Sequence, residues 1–173
     1  MALTLSEALR PAAVDIGALE RRHGPLLEIV RKLTGVVPNS AQFLEIWPTG
    51  FRTMNLLVAN LLNMPFLIFY SRERKGAIGL AMYSASRAAA CAYCSAHCCS
   101  FALRRGADAS QVQRASTPAA AGPTFSAAEL AAVNVAGALG QIPSALAAGM
   151  IDELRRQFSA SDLEWVVLSI ALI

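Results

Sequence analysis

The chain has 173 residues, of which 55% are hydrophobic, and its 15 basic and 12 acidic side chains give a formal net charge of +3. This length suits one core that needs no disulfides, so we predict a single domain over residues 1–173, with an arm or short helices over 1–23. The charges are spread along the chain without a basic stripe, which excludes nucleic acid as an expected partner. The mean hydropathy of +0.44 is high for a monomer and predicts a homo-oligomer.

Neither a secretory signal nor a membrane span is apparent in the sequence. Residues 1–7 lack a basic region followed by an apolar run, so we predict a cytoplasmic protein. The longest apolar run, 56–70, is broken by Asn60, Asn63 and Pro65 and is shorter than the about 20 residues that cross a bilayer. We therefore predict no membrane partner. In a reducing compartment, neighbouring cysteines are more often catalytic, redox-active or metal-binding than structural.

Helical patterns separated by capping residues begin near the N-terminus. Asp15 predicts the first helix start, Gly24 with Pro25 predicts a break, and Gly35 predicts the end of the helix that follows. The remaining apolar residues recur at helical spacing rather than alternating.

The second half of the chain continues the helical pattern. Helices are predicted over about 73–89 and about 93–105, on either side of a cysteine-rich stretch. Two later Ser-x-x-Glu patterns predict capping boxes, Ser126 with Glu129 and Ser161 with Glu164. Because no segment alternates with period two between turn signals, we predict an all-α fold.

Residues 91–99 contain all four cysteines and one of the two histidines. This stretch starts a helix, where free amide groups and the positive end of the dipole stabilise a thiolate. The Cys-x-x-Cys spacing lets the sulfur of Cys94 reach that of Cys91. One thiol can attack a substrate while the other resolves the product.

His97 follows Cys94 by three residues and so lies on the same helix face, where its imidazole can accept the thiol proton. We predict that Cys94 attacks because it stands nearer to His97, and that Cys91 resolves; the reverse order stays open. With a peroxide substrate, the thiolate would become a sulfenic acid and then a disulfide, which an external dithiol would reduce.

Core packing and metal binding are the two alternative interpretations of the cysteines in this stretch. Cys98 and Cys99 point in different directions and are predicted to be small core residues. A metal held by Cys91, Cys94, His97 and Cys98 would have suitable ligand types. Zinc sites usually take a second ligand pair from elsewhere in the chain, and His23 is the one other candidate. We predict no metal and no other cofactor.

At these residues the sequence resembles the carboxymuconolactone decarboxylase and AhpD-like alkylhydroperoxidase superfamily, over roughly residues 24–173. The resemblance rests on Cys-Ala-Tyr-Cys-Ser-Ala-His at 91–97, on Gly-Val-Val-Pro-Asn at 35–39, on Trp47 with Pro48, and on the helix over 125–139. It implies a helical domain that assembles as trimers or hexamers. It also implies reduction of an organic hydroperoxide through Cys91 and Cys94. Lipoyl groups or a thioredoxin-type protein would then reduce the disulfide that this reaction forms.

The sequence departs from this family at two places. AhpD carries its histidine one residue further on, a spacing that keeps the same helix face. The family's proton-relay glutamate, about a dozen residues before the first cysteine, falls here on Gly79. Tyr83 and Ser86 are the predicted substitutes. Two further hypotheses are a lyase of the same superfamily that acts on a lactone without redox chemistry, and a redox-sensing oligomer without catalysis.

Overall fold

The computed structural model describes residues 7, 13–45, 47–61, 72–117 and 124–173. Within these residues the chain forms nine α-helices and no strand, which confirms the all-α prediction. None of these helices is both long and apolar enough to span a membrane. The helices are α1 (Ile16–Thr34), α2 (Ala41–Leu44), α3 (Pro48–Leu61), α4 (Arg72–Ala88), α5 (Ala92–Arg104), α6 (Ala109–Ala115), α7 (Ala127–Leu139), α8 (Ala148–Gln157) and α9 (Ala160–Ala171).

The chain divides into two compact units, residues 1–60 and 61–173. The division into a single domain with an arm or short helices over 1–23 stays a prediction. Helix α1 already begins at Ile16, inside the predicted arm, whereas 1–6 and 8–12 lie outside the described residues.

In the first unit, α1 begins and ends at the predicted capping residues. The carboxylate of Asp15 accepts the amide hydrogen of Ala18 at 3.0 Å, and Gly35 ends the helix with a left-handed φ of 85°. The predicted break at Gly24 and Pro25 is a kink, because only His23 leaves helical geometry and the helix resumes. Proline removes one amide hydrogen bond, and a bend accommodates that loss.

A buried carboxylate lies among the apolar side chains of this unit and pairs with an arginine that is itself exposed. The Glu45 carboxylate accepts hydrogen bonds from Arg22 at 2.8 Å and lies 3.2 Å from His23 Nε2, whose ring packs on Phe51. Burial raises the pKa of Glu45, but the hydrogen bonds from Arg22 and His23 outweigh it, so the pKa is lowered. The carboxylate is therefore charged and paired inside the unit.

In the second unit, α4 is the central helix and packs against α5, α6, α7 and α9. The core beside it includes Leu80, Ala102 and Val133, with Tyr83 and Cys99 packed against its edge. This arrangement places the cysteine helix α5 directly on α4.

The two predicted capping boxes have different outcomes. Ser126 and Glu129 form the reciprocal pair that opens α7, as predicted. The prediction for Ser161 and Glu164 is wrong, because α9 begins two residues earlier. Its N-cap is Ser159, whose hydroxyl accepts the amide hydrogen of Asp162 at 3.2 Å.

Gly79 lies at the closest approach of α4 to α5. A Cβ atom placed on Gly79 would stand 2.6 Å from the Cα atom of Ala102, a distance that real Cβ atoms do not adopt. The position at which the resemblance expects a relay glutamate therefore has no room for a side chain. Glycine here allows the two helix backbones to approach.

Candidate redox site

A tight turn of three residues connects α4 to α5 and positions Cys91. Ala90 adopts a left-handed φ of 54°, and its amide donates to the carbonyl of Arg87 at 3.0 Å. The Cys91 amide donates to the carbonyl of Ser86 at 3.1 Å. This hydrogen-bond pair is the Schellman pattern, which reverses the chain immediately after a helix. Cys91 is thereby fixed against the end of α4.

Cys91 is also the N-cap residue of α5. Its backbone is extended, and its Sγ atom accepts the amide hydrogen of Cys94 at 3.1 Å. Serine, threonine, aspartate and asparagine usually fill this position because their oxygen satisfies a free amide. Here sulfur does so, and the same hydrogen bond and helix dipole favour a negative charge on Cys91 when the thiol is reduced.

Cys91 and Cys94 are joined in a disulfide, with their Cα atoms 5.3 Å apart. Both residues are partly exposed, so small molecules can reach the pair. The structure therefore brings together the two sulfurs that the sequence analysis assigned to a redox pair. Such a pair can store two electrons as two thiols and release them on forming the disulfide.

His97 lies one helical turn after Cys94, and its ring meets the ring of Tyr93 edge-on with centroids 4.6 Å apart. Burial lowers the pKa of His97, so the imidazole is neutral at neutral pH and able to accept a proton. Its catalytic role stays a prediction.

Tyr93 is a residue whose place at the site the sequence analysis missed. Its side chain is 48% exposed between the two cysteines, with one edge on His97. An aromatic residue inside the Cys-x-x-Cys spacing was the available signal.

The two predicted relay residues, Tyr83 and Ser86, lie deeper in the unit. Ser86 is fully buried, and its hydroxyl donates to the carbonyl of Tyr83 at 2.7 Å and hydrogen bonds to the Cys98 thiol. Tyr83 is partly buried at the core edge. Their relay role stays a prediction.

The two remaining cysteines are core residues, as predicted. Cys98 is buried and Cys99 packs against the core of the unit. Burial raises the pKa of Cys98 to about 12, which keeps this thiol protonated. Among the described residues, no group of three or more His, Cys, Asp or Glu side chains is arranged to hold a metal ion.

The fold and the site define an all-helical protein with a cysteine pair at a helix N-terminus. No protein-family profile matches the chain, and no curated protein matches it. Among solved structures, the fold is similar to that of the debrominase Bmp8. A cysteine-to-alanine variant of Bmp8 in complex with 2,3,4-tribromopyrrole is 22% identical with a TM-score of 0.78, over 98% of this chain and 84% of that chain. The unliganded form is 24% identical with a TM-score of 0.75, over 92% and 82%. At these identities the similarity establishes the fold.

Proposed function

We propose that this chain is a thiol oxidoreductase that reduces small organic hydroperoxides through Cys91 and Cys94. The observation that carries the proposal is the Cys91–Cys94 disulfide at the N-terminus of α5. The reaction consumes one hydroperoxide and two thiols and yields one alcohol, one water and one disulfide.

The cap geometry supports Cys91 as the attacking sulfur, the reverse of the order that the spacing to His97 favours. The Cys94 amide and the helix dipole stabilise a thiolate on Cys91. This thiolate attacks one peroxide oxygen and the oxygen–oxygen bond breaks. The leaving alkoxide takes a proton from water and departs as the alcohol, and Cys91 becomes a sulfenic acid. His97 then takes the proton from Cys94, whose sulfur displaces water from Cys91 to form the disulfide.

An external dithiol completes the cycle by thiol–disulfide exchange. Its first thiolate attacks one sulfur of the pair, and its second thiol releases the protein in the reduced state. We propose a lipoyl group or a thioredoxin-type protein as this donor. Both residues of the pair are partly exposed, which an exchange with a second molecule requires.

A second candidate substrate is a brominated heteroaromatic compound, favoured by the similarity in fold to the debrominase Bmp8. The electron balance is the same: one carbon–bromine bond and two thiols would yield one carbon–hydrogen bond, bromide with a proton, and one disulfide. The cysteine pair therefore supports either substrate, and the product distinguishes them.

The first experiment counts free thiols in the reduced protein before and after one equivalent of cumene hydroperoxide. We expect two thiols to be lost, to return with dithiothreitol, and not to be lost as a pair in Cys94→Ser. The matched control is Cys99→Ala, which changes a cysteine of the same helix outside the pair and should behave as the unaltered chain.

No thiol loss with hydroperoxide would overturn the hydroperoxide proposal. The same reduced protein is then given 2,3,4-tribromopyrrole, and bromide release is compared with disulfide formation. One bromide for each disulfide would select the second candidate, whereas neither reaction would overturn both.

A further inference from the structure

A cleft without an assigned role opens in the second unit, near the ends of α4 and α7. Its volume is about 500 Å³, which is in the range of small-molecule sites. The residues lining it do not include Cys91, Cys94 or His97. The cleft is therefore distinct from the redox pair and raises a separate question of what binds there.

Arg87 is the charged residue among those that line the cleft. Its side chain is exposed, and within the described residues no carboxylate forms an ion pair with it. An arginine stays charged under all ordinary conditions, and its planar fork matches a carboxylate. The cleft thus presents one fixed positive charge that no carboxylate in the described part of the chain neutralises.

Asn134 adds a neutral polar group to the same cleft. Its side chain is half-buried, and none of the described hydrogen bonds uses its amide. Ser84 and Ser116 also line the cleft, but their hydroxyls already donate to the carbonyls of Val133 and Gln113. Gln141 in the lining donates an amide hydrogen to the Gly137 carbonyl. Arg87 and Asn134 are therefore the lining side chains whose donors have no described protein partner.

The rest of the cleft wall is apolar and made of short side chains. Ala88, Ala115, Ala138 and Ala145 contribute methyl groups, and Met150 contributes a flexible thioether. Such a wall fits a hydrocarbon body and adapts to its shape. The cleft also lies at the C-terminal ends of α4 and α7, where partial negative charge disfavours an anion, so the positive charge of Arg87 in the last turn of α4 is what allows a ligand with one negative charge.

We propose that this cleft binds a small amphipathic monocarboxylate. The carboxylate pairs with Arg87 and Asn134, and the apolar body lies against the alanine wall and Met150. This site goes beyond the proposed redox function, and its occupancy is measured without reference to that activity.

The test is isothermal titration calorimetry of the whole chain with 3-phenylpropanoate. Replacing Arg87 by glutamine should weaken binding by about tenfold or more, because a charge-assisted hydrogen bond is lost. The matched control is Arg104→Gln, which changes an exposed arginine in the last turn of α5 and should leave the affinity unchanged. The neutral isostere 3-phenylpropan-1-ol should bind both forms equally weakly.

A second variant tests the apolar wall independently of charge. Ala145 is exposed and lines the cleft, so Ala145→Trp should fill the cleft and abolish binding while preserving the melting temperature. Equal affinity of 3-phenylpropanoate for the unaltered chain and for Arg87→Gln would overturn the proposal. So would the absence of saturable heat in the millimolar range, or unchanged binding by Ala145→Trp.

Discussion

Helix α5 carries the same residue type at its N-terminus and at its middle, in opposite environments. At the N-terminus, Cys91 is partly exposed and accepts a backbone amide, and it pairs with Cys94. Two turns later, Cys98 is buried and hydrogen bonds to Ser86. The comparison predicts that access and free helix-end amides, rather than the presence of a thiol, decide which cysteine reacts.

The packing of α5 also differs between its body and its N-terminal turn. The body of α5 lies against α4 at Gly79, so closely that no side chain fits there. The N-terminal turn instead follows the short connection through Ala90 and reaches the surface with Tyr93. The body of the helix packs in the unit, and its N-terminal turn presents the Cys91–Cys94 pair.

The largest expected effect is in thiol reactivity. After reduction, iodoacetamide at about pH 8 should alkylate Cys91 at least about a thousandfold faster than Cys98, because a thiol with a pKa of about 12 is ionised to about one part in ten thousand. Peptide mass spectrometry measures both rates in one sample. In urea the two rates should become equal. A native ratio below tenfold would contradict the comparison.

The second largest expected effect concerns the contact between α4 and the body of α5 at Gly79. Gly79→Glu supplies the carboxylate that the family resemblance expects, but the new side chain meets the backbone of Ala102. Overpacking of this kind should lower the free energy of unfolding by about 3 kcal/mol or more, measured by urea denaturation. The control Gly149→Glu places the same side chain in open space near the start of α8 and should leave the free energy of unfolding unchanged or raise it by up to about 1 kcal/mol, because glycine is a poor helix former. Equal stability of the two variants would refute the close contact.

His97→Gln tests the base at the reactive end. At neutral pH it should slow disulfide closure after hydroperoxide addition by about a hundredfold, the usual contribution of a positioned base. Because burial lowers the pKa of His97 from 6.5, closure in the unaltered chain should slow only as the pH falls below about 6.5. The variant should lack this acid limb. Rapid-quench thiol counting across pH measures both profiles, and identical profiles would remove His97 from the mechanism.

Local signals in the sequence predicted the helices and the redox pair. Asp15 and Ser126 begin helices through bonds to residues three positions away, and Cys91 and Cys94 pair across the same short distance. Both partners of such an interaction lie within a few residues of each other in the sequence, so the spacing of residue types is enough to predict it.

What the sequence did not predict depends on distant neighbours or on an unusual backbone. The need for glycine at position 79 arises from Ala102, which no local pattern reveals. Ser159 rather than Ser161 caps α9, because two serines compete and only the folded chain selects one. The left-handed residue of the turn is Ala90. Glycine or asparagine is usual at such a position, and either residue would have predicted the turn from the sequence.

The smallest expected effect concerns Ala90, which joins the two helices. An alanine with φ of 54° is less stable there than glycine, since its Cβ atom crowds the backbone in the left-handed region. Glycine also gains freedom in the unfolded chain, which offsets part of the benefit, so Ala90→Gly should raise the free energy of unfolding by only about 0.5–1 kcal/mol. Urea midpoints measure the change, and the hydroperoxide-dependent loss of thiols should stay the same. Ala89→Gly, at the neighbouring position without a left-handed backbone, should lower stability instead. If both substitutions destabilise the chain alike, Ala90 does not have a left-handed backbone, and the turn that precedes Cys91 has a different geometry.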